Sequence, residues 1–180
     1  SQVITVSINN LNDNDPVFTS SATFSINENE LSVATVTATD ADNDEISFIV
    51  SGSDLSITTS GVLTFNSAPD FESQSTYSAT VTASDGLNTA QQTINITVVD
   101  VNEAPQITSN SSFTIDENET AIGTVTGSDQ DGDSFTFTIS GSEINIGETS
   151  GVLTFASAPD YETKSSYTAT VTINDGSLSS

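Results

Sequence analysis

Twenty-five acids and a single base make up the charge of this 180-residue sequence, a formal net charge of −24. The acids gather between apolar runs: Glu28, Asp40 and Asp42, Asp70 and Glu72, Asp85, then Asp100 and Glu103. Two like charges ~4 Å apart at an effective dielectric of ~20 repel by roughly 4 kcal/mol. Lys164, the only basic side chain, cannot neutralise every cluster. A divalent cation can. Ca²⁺ takes six to eight oxygen ligands from carboxylates, amide side chains and backbone carbonyls. It needs no nitrogen or sulfur, which suits a chain without His or Cys. Paired carboxylates also serve glycoside hydrolysis, but that chemistry needs a cleft and one acid with a raised pKa. Carboxylates bound to Ca²⁺ stay ionised and are poor proton donors, so the sequence is read as that of a non-enzyme.

The charge excludes other partners. A chain of this sign does not attract nucleic acid or an anionic membrane through its general field. No apolar run approaches the length of a membrane span, so no direct membrane insertion is expected. High charge raises the prospect of disorder. Leu, Ile, Val and Phe nonetheless make up a quarter of the chain and alternate with polar residues, as in a folded protein. Without Cys there is no disulfide framework, and bound metal is the remaining staple for small modules.

The elements that position the acids are repeated. "SGVLTFNSAPDFE" (60–72) returns as "SGVLTFASAPDYE" (150–162), "FSINENE" (24–30) as "FTIDENE" (113–119), and "ATDADND" (38–44) as "GSDQDGD" (127–133). A period of about ninety residues is a whole domain. Within each unit apolar residues alternate with Thr, Ser and Asn, the period of a strand buried on one face. About seven strands are expected in the first unit, near 17–26, 33–39, 46–50, 55–58, 62–65, 75–84 and 91–99, with no helix. Short strands with frequent turns read as a β-sandwich. Turns of a sandwich collect at its two ends, so acids at the bottom of one domain and the top of the next are expected to meet at a junction.

Residues 3–8, "VITVSI", match 93–98, and are expected to form the last strand of a preceding repeat. The second unit is expected to stop before its own last strand. The expected division is 1–9 as that strand, 10–15 as a calcium-binding linker, 16–99 as the first domain, 100–104 as a second linker and 105–180 as the second domain. Segment 1–9 could fill the empty slot of another copy by strand addition.

Five motifs, in order and in both units, resemble those of the cadherin repeat. "NLNDNDPVF" (10–18) is similar to the family linker, with Asn10 in its first Asp position. "NEN" (27–29) and "DEN" (116–118) resemble the Glu-bearing first-strand motif, and "PDFE" (69–72) and "PDYE" (159–162) its D-x-E. "TDAD" (39–42) and "SDQD" (128–131) resemble its D-x-D, while "ASDG" (83–86) and "INDG" (173–176) resemble its A-x-D-G. The resemblance implies an all-β chain of two tandem seven-stranded Greek-key β-sandwiches with up to three Ca²⁺ at each junction. It assigns Glu28, Asp70 and Glu72 of the first domain to the central junction. The linker would add Asn102, Glu103 and the carbonyls of Val101 and Ala104, and the second domain Asp129, Asp131 and Asp175. "DVNEAP" is one residue shorter than the family linker, with Glu103 for its Asp, which leaves room for Asp100 as a ligand. Asn12, Asp13, Asp40, Asp42 and Asp85 would hold an ion at the amino-terminal linker, and Glu117, Asp160 and Glu162 would form a third, linkerless group.

"DQDGD" (129–133) is no EF-hand, since Ser134 and Ser140 stand where that loop needs Gly and Glu. The function implied is that of calcium-binding structural or adhesive repeats of an extracellular or cell-surface protein, similar to a bacterial adhesin. Neighbouring repeats of the same polypeptide, or the same protein by homophilic contact, are the expected partners. A polysaccharide is the alternative, with Phe71 and Tyr161 as stacking faces.

Overall fold

The computed structural model describes residues 1–180, which divide into two compact units, Ser1–Val101 and Asn102–Ser180. The chain is all-β. Unit 1 carries β1 (Val17–Phe18), β2 (Thr23–Asn27), β3 (Ser32–Thr35), β4 (Ala38–Thr39), β5 (Ser47–Val50), β6 (Leu55–Ile57), β7 (Val62–Phe65), β8 (Thr76–Ser84) and β9 (Thr89–Val99). These are the seven expected strands with two of them interrupted. The first is broken at 19–22 because its halves serve different partners: β1 pairs with β4, while β2 runs parallel to β9. One sheet is ordered β2-β9-β8-β5 and the other β3-β7-β6.

Alternation explains the core. Along β9, Ile94, Ile96 and Val98 are buried and the residues between them face out. They pack with Val36, Leu63 and Val81, all fully enclosed. Each such side chain contributes about 1.5–3 kcal/mol by leaving water.

Unit 2 carries β10 (Gln106–Ile107), β11 (Ala121–Thr124), β12 (Gly127–Ser128), β13 (Thr136–Ile139), β14 (Ile144–Ile146), β15 (Val152–Phe155) and β16 (Val171–Asn174). Its pairings β10–β12, β11–β15–β14 and β13–β16 repeat those of unit 1. Val125, Phe137, Leu153 and Ile173 form a smaller core. The repeated Ser-Gly before β7 and β15 has a steric origin. Gly61 and Gly151 sit at φ 89° and 64°, and a Cβ there would collide with the carbonyl oxygens of Val36 and Val125. Those same residues exchange a hydrogen bond, Val36 N to Gly61 O at 2.8 Å and Val125 N to Gly151 O at 2.9 Å.

Residues 3–8 have strand periodicity yet form no strand. Their backbone lacks a paired neighbour, and Val3, Ile4, Val6 and Ile8 are 79–93 % exposed. A strand is defined by its partner, which alternation alone does not supply.

Candidate functional site

The turn between β4 and β5 folds Asp40, Asp42 and Asp44 together, with one carboxylate oxygen of each within 4.8 Å of the others. The linker is tied to this turn. Asp42 Oδ2 accepts hydrogen bonds from the backbone N–H of Asp13 (3.0 Å) and Asn14 (2.9 Å), and Asn14 Nδ2 donates to Asp13 Oδ1 and Asp42. The side chain of Asn14, then its N–H, holds the Asp42 carboxyl below its ordinary value. Asp40 Oδ1 accepts from Asp42 N at 2.8 Å. In the β8–β9 turn, burial pushes the Asp85 carboxyl up, but the N–H groups of Asn88 and Leu87 outweigh it and leave it lowered. Asn88 Nδ2 reaches Asn12 Oδ1 at 2.8 Å, joining that turn to the linker.

The same arrangement recurs in unit 2. Asp129, Asp131 and Asp133 converge within 4.8 Å. Asp131 Oδ2 accepts from Glu103 N at 2.8 Å, as Asp42 Oδ2 accepts from Asn14 N. Asn102 Nδ2 donates to Asp175 Oδ2 at 3.0 Å. Asp175 is lowered first by Leu178 N–H, then by Asn102 and Ser177. Ala104 is half-buried beside Pro105.

Within unit 1, Glu28, Glu72 and Asp100 each offer an oxygen inside 4.8 Å. Glu28 is only 2 % exposed, and its two oxygens accept from Phe71 N (3.0 Å) and Val101 N (2.9 Å). Asp70 stands outside this trio. Its carboxylate caps its own turn, accepting from Ser73 Oγ at 2.9 Å and Ser73 N at 3.2 Å, which lowers its pKa. Asp100 takes the place in the cluster. In unit 2, Glu117, Asp160 and Glu162 also converge, all three exposed. Asp160 is held low mainly by the Thr163 hydroxyl. Phe71 is half-buried and Tyr161 is 66 % exposed.

Asp44 and Asp133 join the clusters without having been singled out in the sequence. The signal was present: "DADND" and "DQDGD" place an acid at every second position for three positions, not two.

Four oxygens decide what chemistry fits. Asp40 Oδ2, Asp44 Oδ2, Asp129 Oδ2 and Asp131 Oδ1 are sealed from solvent and accept no hydrogen bond. A buried carboxylate oxygen without a donor costs free energy, and a cation in that place removes the cost. Burial, then the charges of Asp40, Asp42 and Asp85, push the Asp44 carboxyl up. Lys164 is committed elsewhere, 2.6 Å from Glu143 and 4.3 Å above the Tyr167 ring. The donor set is all oxygen. It fits a hard divalent ion such as Ca²⁺, with Asp40, Asp42 and Asp44, or Asp129, Asp131 and Asp133, as holders.

The chain is 28 % identical to human cadherin EGF LAG seven-pass G-type receptor 1 over 97 % of its length, while spanning 6 % of that protein. Mouse cadherin-23 EC22-24 superposes with a TM-score of 0.56 at 25 % identity, over 92 % of this chain and 61 % of the other. Drosophila N-cadherin EC1-4 gives 0.61 at 22 %, over 90 % and 46 %, a likeness of fold. The profile described as bacterial Ig domain matches residues 12–97 and again 102–180. Two tandem cadherin-like β-sandwich repeats thus make up this chain, which belongs to the bacterial Ig domain family.

Proposed function

We propose that this chain is a structural, adhesive segment of a longer extracellular protein and that Ca²⁺ fixes its linkers. The observation that carries this reading is the set of four sealed, donorless carboxylate oxygens, two in each unit at equivalent turns. Each turn already grips the linker before it, through Asp42 in unit 1 and Asp131 in unit 2. An ion held there locks linker to sandwich. Asp100 ends one acidic group and Asn102 and Glu103 begin the next, with Val101 alone between them in sequence. Ca²⁺ at this junction, held by Glu28, Glu72 and Asp100 together with Asn102, Glu103, Asp129, Asp131 and Asp175, would make the tandem rigid. The ion supplies charge neutralisation and shared coordination; the protein's part is to present converging oxygens. Extracellular calcium modules bind at ~0.1–1 mM, so such a segment stiffens outside a cell and loosens inside one.

Isothermal titration of the chelator-stripped chain with CaCl₂ tests this. Saturable binding that weakens about tenfold or more in Asp131→Asn supports it. Absence of heat and of any change in melting temperature overturns it.

A further inference from the structure

Three turns of the chain carry an Asp–Gly bond: Asp85–Gly86, Asp131–Gly132 and Asp175–Gly176. Such a bond can rearrange. The backbone N of the glycine attacks Cγ of the preceding aspartate, its proton and the carboxyl hydroxyl leave as water, and a succinimide ring closes. Water then opens the ring on either side. Cleavage at Cγ restores aspartate. Cleavage at the aspartate's own backbone carbonyl routes the main chain through Cγ and leaves isoaspartate, with a free α-carboxylate. Nothing is oxidised or reduced, and the composition is unchanged. The step needs an unoccupied glycine N–H and a carboxyl free to turn toward it.

The three bonds differ in how firmly they are held. Asp85 Oδ1 accepts from Leu87 N at 2.7 Å and Asn88 N at 2.6 Å, and Gly86 N donates to Ser84 Oγ at 3.1 Å. Asp175 Oδ1 accepts from Ser177 N and Leu178 N, both at 2.6 Å, and Gly176 N donates to Asn174 Oδ1 at 2.8 Å. In both turns the carboxyl is pinned beyond the glycine and the nucleophile is occupied. Asp131–Gly132 has neither restraint. Asp131 Oδ2 accepts from Glu103 N in the linker, its Oδ1 accepts no hydrogen bond, and Gly132 N donates none. Gly132 is exposed at φ 77°, and a Cβ built on it would meet nothing within 4 Å, so the bond has room to turn. The equivalent bond of unit 1 is Asp42–Asn43, where Asn43 sets a Cβ beside the attacking nitrogen and its N–H donates to Asp40 O at 3.4 Å.

We propose that Asp131–Gly132 is a modification site, at which spontaneous isomerisation to isoaspartate releases the linker from its turn in unit 2. Isoaspartate lengthens the main chain by one methylene and shortens the side chain by the same group. The oxygen that accepts from Glu103 N then leaves its place, and so does the one that converges with Asp129 and Asp133. Asp42, which grips the linker of unit 1, is spared because no glycine follows it. The turn of unit 2 therefore ages and that of unit 1 does not. Neither the rearrangement nor the loss of the Glu103 bond involves a metal ion, so this inference and the calcium reading stand or fall separately.

Ageing the full chain in chelator, followed by enzymatic methyl labelling of isoaspartate and peptide mapping, tests the proposal. Label should accumulate at Asp131 about tenfold or more faster than at Asp85 or Asp175, where several hydrogen bonds must break first. In heavy-oxygen water each event should leave one heavy oxygen at that residue, the mark of a hydrolysed succinimide. The aged fraction should exchange the Glu103 amide proton faster than the fresh chain. Gly132→Asn copies the turn of unit 1, where Asn43 already holds a positive φ of 65°, and should slow the labelling about tenfold or more. Asn43→Gly should bring the label to Asp42. Label absent from Asp131, or spread equally over the three Asp–Gly bonds, overturns the proposal. So does Gly132→Asn labelled as fast as the parent, and so does label at Asp131 that leaves the Glu103 exchange unchanged.

Discussion

"YSATVTAS" (77–84) and "YTATVTIN" (167–174) are nearly the same sequence in the two repeats. In unit 1 the whole stretch belongs to the nine-residue strand β8; in unit 2 only Val171–Asn174 is strand. Likewise "FSIN" lies in β2, whereas "FTID" is unpaired. The difference is β9, which pairs with both neighbours in unit 1 and whose counterpart is not contained within residues 102–180. Its influence reaches the acids. Glu28 is buried and bonded to two backbone N–H groups, one of them on Val101 just past β9; its counterpart Glu117 is exposed and accepts from Tyr161 N at 3.1 Å. Local sequence offers a strand, and a distant strand realises it.

The largest test of that contrast is to give residues 102–180 a partner strand equivalent to β9. Appending residues 91–99 after Ser180 buries three more branched side chains and should stabilise unit 2 by about 4.5–9 kcal/mol as an upper estimate. Calorimetry should show the lower of two transitions moving up. The opposite operation, Ile96→Asp, puts a charge at a position only 1 % exposed in unit 1. It should cost about 3–5 kcal/mol and lower only the unit 1 transition.

Glu28→Ala and Glu117→Ala come next, compared in chelator. The first leaves the N–H groups of Phe71 and Val101 without their acceptor and should cost about 2–4 kcal/mol. The second frees one N–H near solvent and should cost less than about 1 kcal/mol. Equal losses would mean that β9 does not set the environment of the Glu. Gly61→Ala and Gly151→Ala probe a feature the repeats share. Both place a methyl against a carbonyl oxygen at positive φ, so each should lose about 1–3 kcal/mol in its own unit.

Much of this was legible in the sequence. Period-two alternation and the ninety-residue repeat announced tandem β-sandwiches, and turn residues bounded most strands to within a residue or two. The break between β1 and β2 was not legible, because it reflects two different partners and not a change in residue type. Residues 3–8 read as the last strand of a preceding repeat, and within residues 1–180 they have no partner strand. Among the acids, Asp40, Asp42, Asp129 and Asp131 were assigned from the resemblance of "TDAD" and "SDQD" to a D-x-D motif, and their carboxylates converge in the two turns. Asp44 and Asp133 were passed over because the two-acid motif stops one step short of them. Asp70 was assigned from its motif, and its carboxylate accepts from the Ser73 hydroxyl three residues on. Which way a carboxylate turns is settled by such local donors, and motif spacing does not encode them.

The central claim concerns the sealed oxygens, and the melting curve of the intact chain tests it most directly. Scanning calorimetry in millimolar CaCl₂ and then in excess chelator should show both transitions falling when the ion is withdrawn and recovering when it is returned. Asp129→Asn with Asp131→Asn should abolish the response of unit 2 and leave in unit 1 the response carried by Asp40, Asp42 and Asp44. Identical curves with and without calcium would contradict the account.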